Sequence, residues 1–326
     1  MFDAKQVLPD NILARLTAIR VSDPGYAFRV AQERERRPLV GESGRLHILA
    51  ADHPARGVTK VGDNALAMAD RREYLARILR VLEAGGVDGV MATMDILEEL
   101  LILDGIFREI GRSSPLARKL LIASLNRGGL AGSVWELDDP MTGPSPSSCV
   151  AWRLDGAKVL LRVSLDSADS LKTMLASAGA IRECNQVSLP MFLEPLPVVK
   201  SDSGWSVKKD ATSIARLVGV ASALGDSSRF LWLKLPYCKG FEQVARSTTL
   251  PILLLGGESA GDPAPFLMEL ESALGSGPNV LGALVGRNVL FPGSEDPLEM
   301  AKAVSAMIHH RVPADSMIPS FRLGRG

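Results

Sequence analysis

The stretch RLHILAADHPARG, residues 45–57, combines a short apolar run with a polar turn that begins at Asp52. A run of this length followed by turn residues is typical of a buried strand. A doubly wound dinucleotide-binding sheet would place the pattern G-x-G-x-x-G directly after its first strand, where the glycines let the backbone approach a pyrophosphate. This chain places Asp52, His53 and Pro54 there instead. The stretch therefore favours the other common α/β arrangement, a closed barrel.

Apolar runs alternate with stretches of helical periodicity along the rest of the chain. The predicted strands are residues 46–52, 87–93, 119–126, 157–164, 190–194, 229–234, 251–257 and 280–288. Eight strand–helix units match a (β/α)8 barrel, which usually takes about 250 residues. We therefore predict an α/β fold with a single (β/α)8 TIM barrel over residues 46–312, an N-terminal helical extension over 1–45 and a C-terminal tail over 313–326.

The composition disfavours several classes of partner. Thirty-seven basic residues balance 37 acidic ones, so no global positive field favours nucleic acid or an anionic membrane surface. The start, MFDAKQVLPD, has no apolar signal-peptide core, and no later segment is apolar for the roughly 18 residues that span a bilayer. We expect a cytoplasmic protein that binds neither nucleic acid nor membrane.

The cysteines and histidines do not predict a metal site. Cys149, Cys184 and Cys238 are far apart and lack C-x-x-C or Cys/His spacing, which also argues against a disulfide framework. His309 and His310 fall in a predicted amphipathic helix, where solvated or capping roles are commoner than metal ligation. We expect reduced structural thiols, no metal and no cofactor.

Polar residues and glycines end the predicted strands, and in a barrel these ends meet at one rim, where active sites lie. They are Asp52, Thr93, Asn126, Arg162, Ser164, Glu194, Lys234, Gly256, Gly257, Gly286, Arg287 and Asn288. Acids, a lysine, an arginine and two glycine turns at one rim predict a pocket for a polar, anionic small molecule.

Lys234 ends the apolar run RFLWLK, residues 229–234. It could extend to solvent at the barrel mouth. Alternatively, strand alternation puts Phe230, Trp232 and Lys234 on one face, and if that face is inward the amine is desolvated. Desolvation lowers a lysine pKa from about 10.4 toward the range in which a neutral amine attacks a carbonyl. The second alternative predicts a lysine that forms a Schiff base.

Two acids and a second lysine could assist Lys234. Glu194, in PMFLEPLPV, could shuttle protons or could only neutralise a nearby lysine, and Asp52 has the same alternatives. His53, next to Asp52, could be only a loop residue. Lys158, on the fourth run, could reach the pocket or lie lower in the barrel paired with an acid.

Two glycine turns, LLLGGES and LVGRN, follow the seventh and eighth runs, where barrels commonly build a phosphate site. Gly256, Gly257 and Gly286 would let backbone N–H groups approach phosphate oxygens, and Arg287 could add a bidentate contact. Each turn alone is a weak signal, because glycine ends many strands for steric reasons.

These features together resemble the class I aldolase group that contains deoxyribose-phosphate, archaeal-type fructose-bisphosphate and tagatose-bisphosphate aldolases. The resemblance runs from about Leu46 to His309. It is carried, in family order, by AADHPARG, GVDGVMATMDILE, LNRGG, DGAKVLL, PMFLEPLP, WLKLPY, LPILLLGGE and ALVGRNVLFP. Within the group the chain is most similar to an actinobacterial-type subgroup sometimes linked to inositol breakdown, which implies a phosphorylated deoxy-keto-gluconate as substrate.

The resemblance implies roles for individual residues. It implies that Lys234 forms the imine, that Glu194 and Asp52 are the fifth-strand and first-strand acids, and that Lys158 is a further active-site lysine. It implies phosphate-binding backbone at Gly256, Gly257, Gly286 and Arg287.

One position departs from the family pattern. Many relatives carry an aromatic residue, often tyrosine, late in the fourth strand, where this chain has Arg162 and Val163. The group that handles the substrate hydroxyl proton is therefore open. With Lys158, we assign Arg162, Asn126 and Ser164 to substrate binding.

We therefore expect a metal-independent class I aldolase that cleaves or forms a C–C bond in a phosphorylated sugar or sugar acid, assembled as a homo-oligomer. Two alternatives are a phosphosugar-binding barrel without turnover and a phosphosugar isomerase or epimerase that uses Glu194 as base. Neither needs an imine, so covalent trapping at Lys234 discriminates among them.

Overall fold

The computed structural model describes residues 2–322 apart from 202, 203, 258 and 260. The strands of the described chain are β1 (Leu46–Ala51), β2 (Gly89–Ala92), β3 (Leu120–Ser124), β4 (Gly156–Val163), β5 (Met191–Ser201), β6 (Gly204–Val207), β7 (Leu231–Pro236), β8 (Ile252–Leu255) and β9 (Val280–Val285). The order β4-β3-β2-β1-β9-β8-β7-β5 is closed by pairing of β4 with β5, and every pair in the ring is parallel. The predicted (β/α)8 barrel is confirmed, because a doubly wound sheet has two open edges.

Helices alternate with the barrel strands and surround them. They are α1 (Ala4–Val7), α2 (Asp10–Ser22), α3 (Tyr26–Glu33), α4 (Arg71–Leu82), α5 (Met94–Glu109), α6 (Pro146–Ala151), α7 (Asp169–Gln186), α8 (Ala211–Ser222), α9 (Phe241–Ala245), α10 (Pro263–Leu274), α11 (Arg287–Leu290), α12 (Pro297–His310) and α13 (Ala314–Arg322). None of the described helices is long and apolar enough to cross a membrane.

The eight predicted runs each overlap an observed barrel strand, and the fifth differs most. β5 continues past Glu194 to Ser201 and pairs with β6 in an antiparallel hairpin, through partners such as Val198 and Val207. The predicted strand ends at residue 194, immediately before Pro195 and Pro197. They are tolerated because each retains a carbonyl acceptor, and Pro197 O accepts a hydrogen bond from Lys208 N at 2.8 Å.

Strand alternation divides the core into an inner and an outer part. Leu46, Ile48 and Ala50 of β1 face the barrel interior with Phe192, Leu253 and Leu284, whereas Leu49 and Ala51 pack against the helices. The lower barrel is thus filled with apolar side chains. The polar inward side chains include Lys158 of β4, Glu194 of β5 and Lys234 of β7.

The N-terminal helices pack on the outside of the barrel, and the segment after α3 crosses its floor. Arg34 Nη2 lies 2.7 Å from Asp155 Oδ2, with both side chains buried. Arg37 pairs with Asp88, and Leu39 packs against the interior cluster of the barrel. At the other end of the chain, α13 contacts α10, and residues 323–326 of the predicted tail lie outside the described residues.

Candidate active site

Three side chains from neighbouring strands meet at the top of the barrel interior. Glu194 Oε2, on β5, lies 2.6 Å from Lys158 Nζ of β4 and 3.0 Å from Lys234 Nζ of β7. β5 pairs with both β4 and β7, so the inward positions of the three strands bring these residues together. Lys234 is only 5% exposed, and Trp232 on the same face packs into the interior cluster. Phe230, predicted to share that face, lies before β7 begins.

Asp52 extends this centre toward β3. Its Oδ2 accepts hydrogen bonds from Ser124 Oγ at 2.9 Å and from Arg127, and lies 3.4 Å from Lys158 Nζ. Lys158 contacts both carboxylates and so bridges them, and its side chain is fully buried. Lys158 is thus paired with acid, as one of its two predicted positions requires, and the acids are those of the centre.

The centre holds more cationic side chains than carboxylates. Lys158, Lys234 and Arg127 face Asp52 and Glu194, and all five are buried or nearly so. Burial lowers the pKa of Lys158 well below its ordinary value, and Arg127 lowers it further. Burial also lowers the pKa of Lys234, which Glu194 partly offsets. One neutral amine balances the charge of this desolvated site.

For the pKa of Glu194, burial and the neighbouring charges act in opposite directions. Burial alone would raise its pKa, but Lys158 and Lys234 together lower it below the ordinary value for a glutamate. The carboxylate therefore stays ionised and holds both amines in place.

An apolar cluster lies above the centre. Leu160 on β4 and Leu196 and Val198 on β5 pack with Leu137, and Trp205 of the β5–β6 hairpin packs against them. The hairpin and the loop between β3 and α6, residues 125–145, supply this cover. These packed apolar side chains lower the local polarity, which strengthens electrostatic interactions beside them.

Arg162 fixes that loop. It pairs with Glu136, and its Nη2 donates to Gly129 O at 3.1 Å. Arg56 Nη2 lies 2.9 Å from the same Glu136 carboxylate, so two arginines hold one acid of the loop. The structure engages the guanidinium of Arg162 with protein groups rather than presenting it to the Lys158–Glu194–Lys234 centre.

Two other predicted substrate-binding residues also bond within the protein. Asn126 Nδ2 donates to Leu160 O at 2.7 Å, and Leu160 N donates to Asn126 Oδ1 at 2.7 Å, which ties the end of β3 to β4. Ser164 N donates to Ser170 Oγ at 2.9 Å in the turn that leads into α7. The contacts of Asn126 and Ser164 organise strand ends.

The two predicted glycine turns lie together beside β1. Asn288 Nδ2 donates to Gly256 O, which connects the turn after β8 to the one after β9. Gly257 has φ of 67°, a left-handed conformation that glycine adopts without strain. A Cβ at Gly286 would lie 2.6 Å from His53 Cε1, so the absence of a side chain there makes room for the imidazole.

Arg287 follows Gly286 and lines a polar cleft of about 580 Å³. Gly57, Thr59 and Lys60, from the segment after β1, and Ser259 also line this cleft. The cleft has the size and polarity for a small anionic ligand.

Three residues of the centre were not predicted for it. Ser124 shares inward parity with Leu120 and Ile122 on β3, so alternation could have found it. Arg127 lies beyond the end of β3, where strand parity gives no guide. His53 was considered only as a loop residue, yet its Nδ1 is buried.

The described residues provide no group of three or more His, Cys, Asp or Glu side chains arranged to hold a metal ion. Cys149, Cys184 and Cys238 are buried and free.

The chain thus folds as a (β/α)8 barrel with a buried centre of lysines and carboxylates inside it. A family model described as Cgl0159-like matches residues 44–307, and the chain belongs to the Cgl0159-like family. The crystal structure of Cgl0159 from Corynebacterium glutamicum matches with a TM-score of 0.87 at 36% identity, covering 94% of this chain and 99% of that one.

Two further proteins extend the comparison. An archaeal fructose-1,6-bisphosphate aldolase, solved with its catalytic lysine covalently bound to the carbinolamine intermediate, matches with a TM-score of 0.59 at 22% identity over 87% of this chain and 99% of that one. The 2-amino-3,7-dideoxy-D-threo-hept-6-ulosonate synthase 1 of Archaeoglobus fulgidus is 24% identical over 283 residues, 86% of this chain and 93% of that protein. The match to the solved aldolase confirms that this chain shares the fold of an aldolase barrel.

Proposed function

We propose that the protein is a class I aldolase that cleaves or forms a C–C bond in a phosphorylated sugar or sugar acid through an imine at Lys234. The observation that carries the proposal is the buried pair of amines on one Glu194 oxygen, in a centre with three cationic side chains and two carboxylates. Such a site favours one neutral amine, and a neutral amine is the nucleophile that an imine requires.

Lys234 is the amine we assign to this role. Lys158 lies 2.6 Å and 3.4 Å from two carboxylates, whereas the one carboxylate contact of Lys234 among the described residues is with Glu194, at 3.0 Å. Burial and Arg127 lower the pKa of Lys158 well below its ordinary value. The two carboxylate contacts oppose that effect, and it is on these contacts that we assign the proton to Lys158. A cationic Lys158 beside a neutral Lys234 keeps Glu194 ionised and leaves Lys234 free to attack.

The reaction begins when Lys234 Nζ adds to the substrate carbonyl carbon. Glu194, within hydrogen-bond distance of that nitrogen, moves the protons that convert the carbinolamine to an iminium and release water. The iminium accepts the electron pair of the breaking C–C bond as an enamine. Asp52 orients a substrate hydroxyl, because its Oδ1 is buried and accepts no hydrogen bond within the described chain.

The turns at Gly257 and Gly286 and the cleft at Arg287 are the proposed phosphate site. Backbone N–H groups and a guanidinium suit a phosphate, and binding a remote phosphate orients the reacting carbon over Lys234. A phosphorylated deoxy-keto-gluconate from inositol breakdown is the first substrate to test. We expect a cytoplasmic homo-oligomer.

The isomerase alternative is less well supported. Lys158 and Lys234 lower the pKa of Glu194 below its ordinary value, which weakens the carboxylate as a base for abstracting a carbon-bound proton. The imine mechanism, in contrast, gives both amines a role: Lys234 is the nucleophile and Lys158 is the protonated lysine.

Lys234→Arg tests the assignment. The variant keeps the positive charge but a guanidinium cannot form the imine, so kcat for cleavage should fall by roughly 10³-fold or more. Lys239→Arg, at an exposed lysine five positions along the chain, is the matched control and should stay within about twofold of the parent. Normal cleavage by Lys234→Arg would refute the mechanism.

A further inference from the structure

Aldol cleavage needs a group that takes the proton of the hydroxyl on the carbon that becomes an aldehyde. Both carboxylates of the centre are held by cations: Glu194 lies against two lysines, and Asp52 against Arg127 and Lys158. Each carboxylate thus holds cations of the centre, and Glu194 already serves the carbinolamine in the proposed mechanism. The reaction therefore calls for a further base at the mouth.

The three tyrosines of the chain, all within the described residues, lie elsewhere. Tyr26, on α3, donates to Glu109. Tyr74, on α4, is buried in the outer core. Tyr237 follows β7, but it packs with the outer core, with its ring centroid 5.9 Å from that of Phe241. A phenol therefore does not supply this base.

His53 lies at the end of the barrel that carries the carboxyl terminus of β1. It follows Asp52 directly after β1 and begins the short 3₁₀ turn Pro54–Arg56. Its ring packs over Gly286, across the gap between the ends of β1 and β9. Its Nδ1 is buried and has no hydrogen-bond partner within the described chain. A buried nitrogen without a hydrogen-bond partner is energetically costly and rare in native proteins. A catalytic role is one explanation for such an atom.

Burial first, and neighbouring cations second, keep the ring of His53 neutral. Burial lowers the pKa of His53 to about 3, and Arg287 and Lys234 contribute further, while Glu194 opposes them. Arg287 is the largest of the charges that lower this pKa. A substrate phosphate bound at Arg287 would compensate that charge and make the imidazole a stronger base at the time when it is needed.

We propose that His53 is a further catalytic residue, whose Nδ1 takes the proton of the substrate hydroxyl as the C–C bond breaks. This rests on the proposed aldolase function. The O–H electron pair becomes the carbonyl bond of the aldehyde, the C–C pair moves into the iminium to form the enamine, and the proton goes to His53. Reprotonation of the enamine carbon and hydrolysis of the imine restore neutral His53 and Lys234, so no co-reactant is required. In synthesis, protonated His53 donates to the forming alkoxide.

His53→Gln tests the proposal, because the amide retains polar groups and similar length but does not act as a base. Two rates are compared: imine formation with the ketone product alone, trapped by borohydride, and cleavage of the full substrate. Imine formation should stay within about twofold of the parent, since it involves no hydroxyl deprotonation, while kcat for cleavage should fall by roughly 10²-fold or more. His310→Gln, at an exposed histidine at the end of α12, is the control.

The outcomes separate this proposal from the proposed function. Absence of trapping in the parent protein would refute the aldolase mechanism itself. Normal trapping with normal cleavage in His53→Gln would overturn the role of His53 alone, and so would a parallel loss of both rates, which a structural role predicts. If His53→Gln does not fold, His53→Asn is measured with the same two rates and judged in the same way.

Discussion

At the scale of single residues, Glu194 is the group on which the site depends. One of its oxygens contacts two amines, so its charge attracts a proton to each of them while burial disfavours both protons. Lys234 is consequently sensitive to every charge near it. Glu194 raises its pKa and Arg127 lowers it, in addition to the larger effect of burial.

This balance predicts opposite shifts in two variants. In Glu194→Gln the carboxylate no longer raises the pKa of Lys234, so that pKa falls further and the acid limb of imine formation moves to lower pH. In Arg127→Met a cation that lowers the pKa of Lys234 is lost, so the limb moves to higher pH. The rate of borohydride trapping of a keto-sugar phosphate, measured as a function of pH, gives the acid limb for each variant. Shifts of the same sign in the two variants would contradict the proposed electrostatics.

At the scale of elements, the segment after α3 closes the floor of the barrel, opposite the site. Arg34 is buried and donates to Asp155 Oδ2 at 2.7 Å and to Arg153 O at 2.8 Å. Arg36 also contacts Asp155, with its Nε 2.8 Å from Oδ1, but 43% of its side chain is exposed. The two arginines therefore share one acid, but Arg34 is buried and also donates to backbone carbonyls, whereas Arg36 is half-exposed.

Burial decides how much each arginine contributes to stability. Arg34→Met removes a buried partner of Asp155 and should lower the free energy of unfolding by about 3–5 kcal/mol. Arg36→Met, the matched control, breaks a contact that solvent screens and should cost about 1 kcal/mol or less. Urea unfolding of the two variants and the parent measures the difference. Equal losses would show that the floor does not depend on the buried pair.

At the scale of the whole molecule, the barrel was predictable because the β/α cadence is local, and its closure follows from eight such units. Alternation along one strand put Lys234 on the same face as Trp232, but it left open whether that face points inward. The β5–β6 hairpin was missed because two prolines are a local signal of a loop, and only the pairing with residues 204–207 overrides it. The position of Arg127 and the hydrogen bonds of Arg162 within the protein could not be predicted in this way. Both depend on the path of a loop, and a loop has no periodic pattern in the sequence.

The most direct test of the central claim is where the imine forms. The protein is incubated with a keto- or aldehyde-sugar phosphate and reduced with borohydride, and the added mass is located by peptide mapping. The mass should lie on Lys234, in the peptide containing FLWLK, and be absent from Lys158 and Lys239. Attachment at Lys158 would move the nucleophile to β4, and absence of any attached mass with a cleaved substrate would contradict the Schiff-base mechanism.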